Sequence, residues 1–242
     1  MLQEHRPRFA DPPKRANYFV ALASERRGAL ARDVNRALLA AASLPDRLAH
    51  APALAHYEGF ALAAHWHRAA THDPRPNGVK MAVGHGYSLN LRGHQLRHLT
   101  VGEGLHEHDL TMLKRSQPAG LRQGVPKGRR VLLVYERAAM DFAFWKRCRQ
   151  ANATYFLSRV KAGMGYDWVD NRPVDAQAPR NRGVTQDRSI LTRDGHQMRI
   201  SCYTEPLQGP ADEFLTNEPD LPAGVLAERI GGAGRWRRSW MK

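Results

Sequence analysis

The chain has 242 residues, 42% of them hydrophobic, enough for one sizeable domain and a small one. No stretch approaches the roughly 20 apolar residues of a membrane span, and the polar, Pro-rich start lacks the apolar core of a secretory signal. Two cysteines, Cys148 and Cys202, exclude a disulfide framework and match no zinc-finger spacing, so a cytoplasmic location is expected.

Lys and Arg outnumber Asp and Glu by 37 to 23, giving a net charge of +14. Such an excess favours a polyanionic partner, with nucleic acid the commonest, although an arginine-rich proteome produces the same bias.

Residues 26–42 combine strong helix formers with Leu30, Val34, Leu38 and Leu39 on one face, which predicts a helix. A second short helix is expected over about 43–57, with Ser43 as its cap ahead of Pro45. THDPRPNG (71–78) is a turn cluster. Residues 80–91 and 94–101 read as two strands joined at Arg92-Gly93, and 108–115 as a helix. VLLVY (131–135) is a continuous apolar run, the pattern of a central strand covered on both faces. Residues 138–151 form a helix with Met140, Phe144 and Cys148 at i, i+4 spacing, flanked by Ala138, Phe142 and Trp145. TYFLSRV (154–160) is the next strand, which completes a βαβ unit with parallel strands.

Residues 162–187 are rich in Asp, Asn, Arg, Pro and Gly and read as a long surface insertion. RSILTR and HQMRISCY then form a hairpin closed by a two-residue Asp194-Gly195 turn. EFLTNEP (213–219) is a short strand, and the segment after it begins a helix that buries Val225 and Leu226.

Chemistry is expected where Glu136 stands at the carboxyl end of the apolar strand, because open α/β sheets place their ligands there. Arg122, Lys127, Arg129 and Arg130 form a cationic loop before that strand, and Arg159 with Lys161 a basic pair after the next. Each is either solvated surface or a contact to a DNA backbone. His65, His67, His72, His106 and His108 fall in loose clusters without a Cys or carboxylate at metal spacing, and read as surface or core residues. Ser158 and Cys148 have no nucleophile motif around them, and Cys148 reads as helix packing.

The run KGRRVLLVYERAAMDFAFWKRCRQANATYFLSRVK (127–161) resembles the second-aspartate region of bacterial DDE-type insertion-sequence transposases, of the group with a Tyr-Arg-Glu-Lys signature. Residues 69–101, 104–115 and 213–228 fit the same family, so the resemblance covers roughly 50–229. It implies an α/β, RNase-H-like mixed sheet with flanking helices and a β-rich insertion at about 162–222. That domain would span 56–242, preceded by a partly helical region over 1–55. It further implies DNA cleavage and strand transfer at transposon ends by two Mg²⁺ ions on an Asp, Asp and Glu triad, since paired metals neutralise both oxygens of an in-line displacement.

The resemblance also marks departures. Glu136 stands at the second-carboxylate position where the family has Asp, and the extra methylene moves its oxygens by about 1 Å, poorly suited to the strict octahedron of Mg²⁺. At the first position, Ala63-Ala64-His65 supplies no acid. Asp73, the nearest acid downstream, precedes Pro74 and reads as turn chemistry; Glu58 does not match the motif either.

The family's third ligand lies on a helix following 228, where this sequence reads RIGGAGRWRRSWMK with no acid. A change of reading frame accounts for that tail: read one frame over, Trp240/Met241 and Met241/Lys242 force Asp and Glu, as the family helix has. The expectation is a transposase copy with a truncated end and impaired catalysis. DNA is its expected partner, and a second copy of the chain, in a homodimer, is a further candidate. Alternatives are a non-catalytic DNA-binding remnant and an unstable pseudogene product.

Overall fold

The computed structural model describes residues 25–41, 46–68, 82–101, 109–135, 141–204 and 211–228. The chain divides into two units, 1–44 and 45–242. In the first, α1 (Glu25–Ala41) carries Leu30, Val34 and Leu38 along one stripe, all three exposed.

In the second unit the residues predicted as a helix over 43–57 take another form. Ser43 and Pro45 lie outside the described residues. Residues 47–50 form a turn, 52–54 a 3-10 segment (Pro52–Leu54), and a strand begins at Tyr57. Asp46 Oδ1 accepts from the Leu48 N–H at 2.9 Å, an Asx turn that competes with helix. Pro52 opens the 3-10 turn, where its missing N–H costs nothing.

Among the described residues nine strands form one sheet: β1 (Tyr57–Arg68), β2 (Ala82–Asn90), β3 (Leu96–Val101), β4 (Arg130–Val134), β5 (Thr154–Arg159), β6 (Tyr166–Asn171), β7 (Val184–Thr192), β8 (Gln197–Tyr203) and β9 (Asp212–Thr216), in the order β3-β2-β1-β4-β5-β9-β8-β7-β6. β1, β4 and β5 run parallel, and β2 is antiparallel to both of its neighbours. The half-sheet β3-β2-β1-β4-β5 is thus the mixed, RNase-H-like arrangement. The β-rich insertion does not fold apart from it: β9 pairs with β5, and β8, β7 and β6 continue the same sheet.

β4 alternates between two cores. Val131 and Leu133 face a layer with Phe144, Trp145 and Cys148 of α4 (Phe142–Asn152), while Leu132 and Val134 face Leu221, Val225 and Leu226. This double burial is what the unbroken apolar run required. Two short helices, α2 (Asp109–Arg115) and α3 (Gln117–Leu121), add Leu113 and Leu121 to the α4 side. Val225 and Leu226 are buried on the helical segment 223–228, as expected.

Helix α4 starts later than its periodicity suggested. Asp141 is its N-cap, accepting from the Phe144 N–H at 2.8 Å and paired with Lys114. Burial opposes the charge of Asp141, but Lys114 and the cap bond outweigh it and hold the carboxyl below its ordinary range. Ala138 and Met140, expected on the apolar face, lie outside the described residues.

The β2–β3 connection is wider than a joint at Arg92-Gly93. Asn90 Oδ1 accepts from the N–H groups of both Arg92 and Gly93 at 2.8 Å, His94 takes a left-handed φ of 52°, and pairing resumes at Leu96. The β7–β8 turn also differs from expectation. Gly195 N–H donates to Thr192 O at 2.8 Å and Thr192 N–H to His196 O at 2.9 Å, and Gly195 has φ 74° while Asp194 does not have positive φ. That is a three-residue loop with a glycine bulge rather than a two-residue turn.

β6 lies inside the stretch expected to be loop. Its sequence YDWVDN has no apolar alternation because it is an edge strand exposed along most of its length, with charges that discourage further pairing.

Gly224 sits against the 3-10 turn Pro179–Asn181, and a Cβ there would meet Arg180 O at 1.6 Å. Backbone cannot yield as a side chain can. Gly224→Ala is expected to destabilise the fold by about 1–3 kcal/mol, the usual cost of overpacking, measured by urea unfolding. Wild-type stability in that variant would show that the helix and turn do not touch.

Candidate functional site

In a sheet of this kind ligands gather at the carboxyl ends of the parallel strands, here where β1 and β4 finish. Their register runs from Tyr57↔Arg130 to Ala61↔Val134. β1 continues past that point, and its next residue on the face of Ala61 is Ala63, which is exposed. In sequence, Glu136 stands two residues after Val134. Glu136 and Asp73 both lie outside the described residues. At this point of β1 the exposed side chain is therefore a methyl group.

The acid that β1 does contain is committed elsewhere. Glu58 is buried at the opposite end of the strand, 3.4 Å from Arg92 Nε, 4.0 Å from Arg129 Nη1, and accepting from Asn90 Nδ2 at 3.2 Å. Among the described residues no three His, Cys, Asp or Glu side chains converge as ion ligands. The described residues do not fit a pair of Mg²⁺ ions, which need several hard carboxylate oxygens at one point.

The basic residues separate into two groups at opposite ends of the parallel β4–β5 pair. Arg122, Lys127, Arg129 and Arg130 precede or open β4. Arg122 donates to Asn152 O at 2.5 Å and to Arg129 O at 2.7 Å, and Arg129 donates to Ala55 O. Arg130 donates to Asp220 Oδ2 at 2.6 Å and to Tyr57 Oη at 3.0 Å, and lies over the Tyr57 and Tyr155 rings. These bonds raise its pKa further and fasten the start of β4 to the 218–220 loop. Lys127 is exposed. Arg159 and Lys161 stand at the other end, the carboxyl end of β5; Arg159 pairs with Asp212 at 3.2 Å and Lys161 is exposed.

A cavity of about 510 Å³ opens at the Arg130 end, lined by residues that include His56, Tyr57, Arg130 and Asp220. Tyr57 Oη donates to Glu218 Oε1 at 2.6 Å, and burial together with that carboxylate pushes the phenol pKa up. Glu218 is fully buried and also accepts from the N–H groups of Asp220 and Leu221, so this floor is a closed structural network. Cys148 is fully buried, and burial pushes its thiol up to about 11, the state of a packing residue.

A histidine pair on β2 and β3 was not legible in the sequence. His85 of β2 and His98 of β3 bring Nδ1 and Nε2 to 3.1 Å, with Tyr87 beside them. The hint was three histidines in GHGYSLN and HQLRH, but strict alternation would have turned His98 to the other face.

No family model and no curated protein matches the chain. Eight chains of solved structures do. One Argonaute structure from Aquifex aeolicus is 12% identical, with a TM-score of 0.31, covering 69% of this chain and 23% of the other. A second Aquifex aeolicus Argonaute structure is 17% identical, with a TM-score of 0.30, covering 71% and 23%. This chain thus spans about a quarter of the length of those it matches. Likeness at this level does not bear on function. Among the described residues no helix is long and apolar enough to cross a membrane.

Proposed function

We propose that the chain is a DDE-type insertion-sequence transposase copy that binds DNA at transposon ends and has lost metal-dependent cleavage and strand transfer. The observation that carries the reading is Ala63. It stands two residues beyond Ala61, the last β1 residue paired with β4, where the resembled chemistry needs a carboxylate, and a methyl group cannot hold a cation. Glu136 in place of Asp at the second ligand position of the resembled motif adds to the defect. The net charge of +14 and the strand order β3-β2-β1-β4-β5 support a polyanion-binding protein of this lineage.

Phosphate contact is assigned to Arg159 and Lys161, on the end of the sheet that faces the substrate of such a fold. Arg122, Arg129 and Arg130 are assigned to structure, because their guanidinium groups are already spent on carbonyls and on Asp220.

The test is purified protein with duplex DNA carrying insertion-sequence ends. A retarded band is expected without nicking in Mg²⁺, and with six or more phosphate contacts its affinity should fall by about 10³ or more between 50 and 200 mM salt. Replacing Arg159 and Lys161 together by alanine should flatten the log–log salt slope by about 2, while Arg122→Ala leaves it unchanged. Mg²⁺-dependent nicking would overturn the loss of catalysis, and salt-insensitive binding would overturn the assignment to DNA.

A further inference from the structure

We propose that the outward side of α4 is a docking surface for the phosphate backbone of duplex DNA, with Lys146, Arg147 and Arg149 as its contacts. The inference rests on the DNA-binding reading above but uses residues to which that reading gives no role.

The helix period sets the arrangement. Phe144, Trp145 and Cys148 are buried against the sheet. At about 100° per residue, Lys146 and Gln150 then lie on the line opposite the core, with Arg147 on one flank and Arg149 on the other. All four are exposed.

No acid interrupts this side. The helix from Phe142 to Asn152 contains neither Asp nor Glu. Asp141, at its N-cap, is paired with Lys114 and acts on Arg147 only at longer range. Among the described residues no ion pair involves any of the three cations.

A face that is merely solvated is usually laced with opposite charges, as on α1, where Asp33 and Arg36 pair at 3.2 Å. On α4 the same i, i+3 spacing sets Lys146 against Arg149, two like charges that work against the helix. The helix dipole offsets this for Arg149 in the last turn, but not for Lys146 and Arg147 at mid-helix. A polyanion supplies the missing counter-charge.

Aromatic rings hold the two arginines without cancelling their charge. Arg147 lies over the Phe144 ring at 5.8 Å, and Arg149 over the Tyr155 ring at 5.9 Å. A guanidinium on a ring face keeps its full charge, and the N–H groups along its edge stay available to phosphate oxygens. The two arginines flank a helix about 10–12 Å across, a span that suits phosphates on the two rims of a major groove about 12 Å wide. That span selects a duplex over a single strand.

The experiment is binding of the full chain to a short labelled duplex, and to a single strand of the same length, between about 50 and 200 mM salt. The triple variant Lys146→Gln, Arg147→Gln, Arg149→Gln should flatten the log–log salt slope for the duplex by about 3. The charge-keeping triple Lys146→Arg, Arg147→Lys, Arg149→Lys should retain the wild-type slope. Circular dichroism should match wild type in both, which separates a lost contact from misfolding. On the unaltered chain, Lys146 should react with an acylating reagent and be protected by the duplex, a measurement that decides even where a variant misfolds. A wild-type slope in the glutamine triple, or Lys146 equally reactive with and without duplex, would overturn this surface and leave Arg159 and Lys161 standing. Single strand bound as tightly as duplex would overturn the two-rim fit, and a wild-type chain that binds no duplex would overturn both this surface and the reading it rests on.

Discussion

Asp187→Ala is expected to destabilise the protein by about 3–5 kcal/mol, because it strands a buried arginine without its counter-charge. Asp187 and Arg199 are 4% and 5% exposed and meet in a two-pronged contact, Nε to Oδ1 at 2.8 Å and Nη2 to Oδ2 at 2.6 Å. Ser201 Oγ adds a bond at 3.0 Å, and Arg199 Nη1 reaches Leu221 O at 2.5 Å. Arg172 approaches the same carboxylate at 3.5 Å and donates to Pro219 O at 2.6 Å. One carboxylate therefore ties β7 and β8 to the loop that leads into the 223–228 helix.

The pair itself need not be stabilising relative to apolar packing; it is the uncompensated partner that is costly. The double variant Asp187→Leu with Arg199→Met should accordingly lose much less than Asp187→Ala and Arg199→Ala summed. Guanidinium unfolding of the four chains decides it: additive losses would show that the two groups act separately.

Trp145→Ala is expected to cost about 3–5 kcal/mol through the cavity it opens. The ring is fully buried between Tyr135, stacked at 5.0 Å and 16°, Phe144 at 5.0 Å and Phe156 at 5.3 Å. It sits where α4 meets β4 and β5, so its loss removes packing from the βαβ unit itself. Trp145→Phe keeps an aromatic plane and should recover a large part of the loss. A thermal or denaturant midpoint unchanged in Trp145→Ala would mean that α4 does not pack on the sheet as described.

The Trp145 core was readable from sequence, because VLLVY and the FAFWKRC periodicity are local patterns that demand burial on both faces of a strand and one face of a helix. The Asp187 network was not. Asp187 and Arg172 sit in the Asp- and Arg-rich text that reads as a surface insertion, Arg199 and Ser201 on a hairpin strand, and they become a core only when β6, β7 and β8 align.

For the candidate site, the sequence identified Ala63-Ala64-His65 as lacking an acid, and the β1–β4 register, whose last pair is Ala61↔Val134, sets Ala63 two residues beyond it. The basic residues were legible as two groups, one before β4 and one after β5, and the predicted parallel pairing put them at opposite ends. Which carbonyl or carboxylate each guanidinium meets was not legible, because it depends on how distant segments pack.

By itself the sequence determined the central strand, the helix after it, the parallel partner strand and the excess of positive charge. Each comes from composition or from contacts a few residues apart. Tertiary structure decided that the insertion extends the main sheet, that Asp187 is buried, and that a bulge at Leu99 sets His98 beside His85. Those outcomes depend on pairing between distant segments, and a shift of one residue in register sends a side chain to the other face of the sheet, a difference no local pattern records.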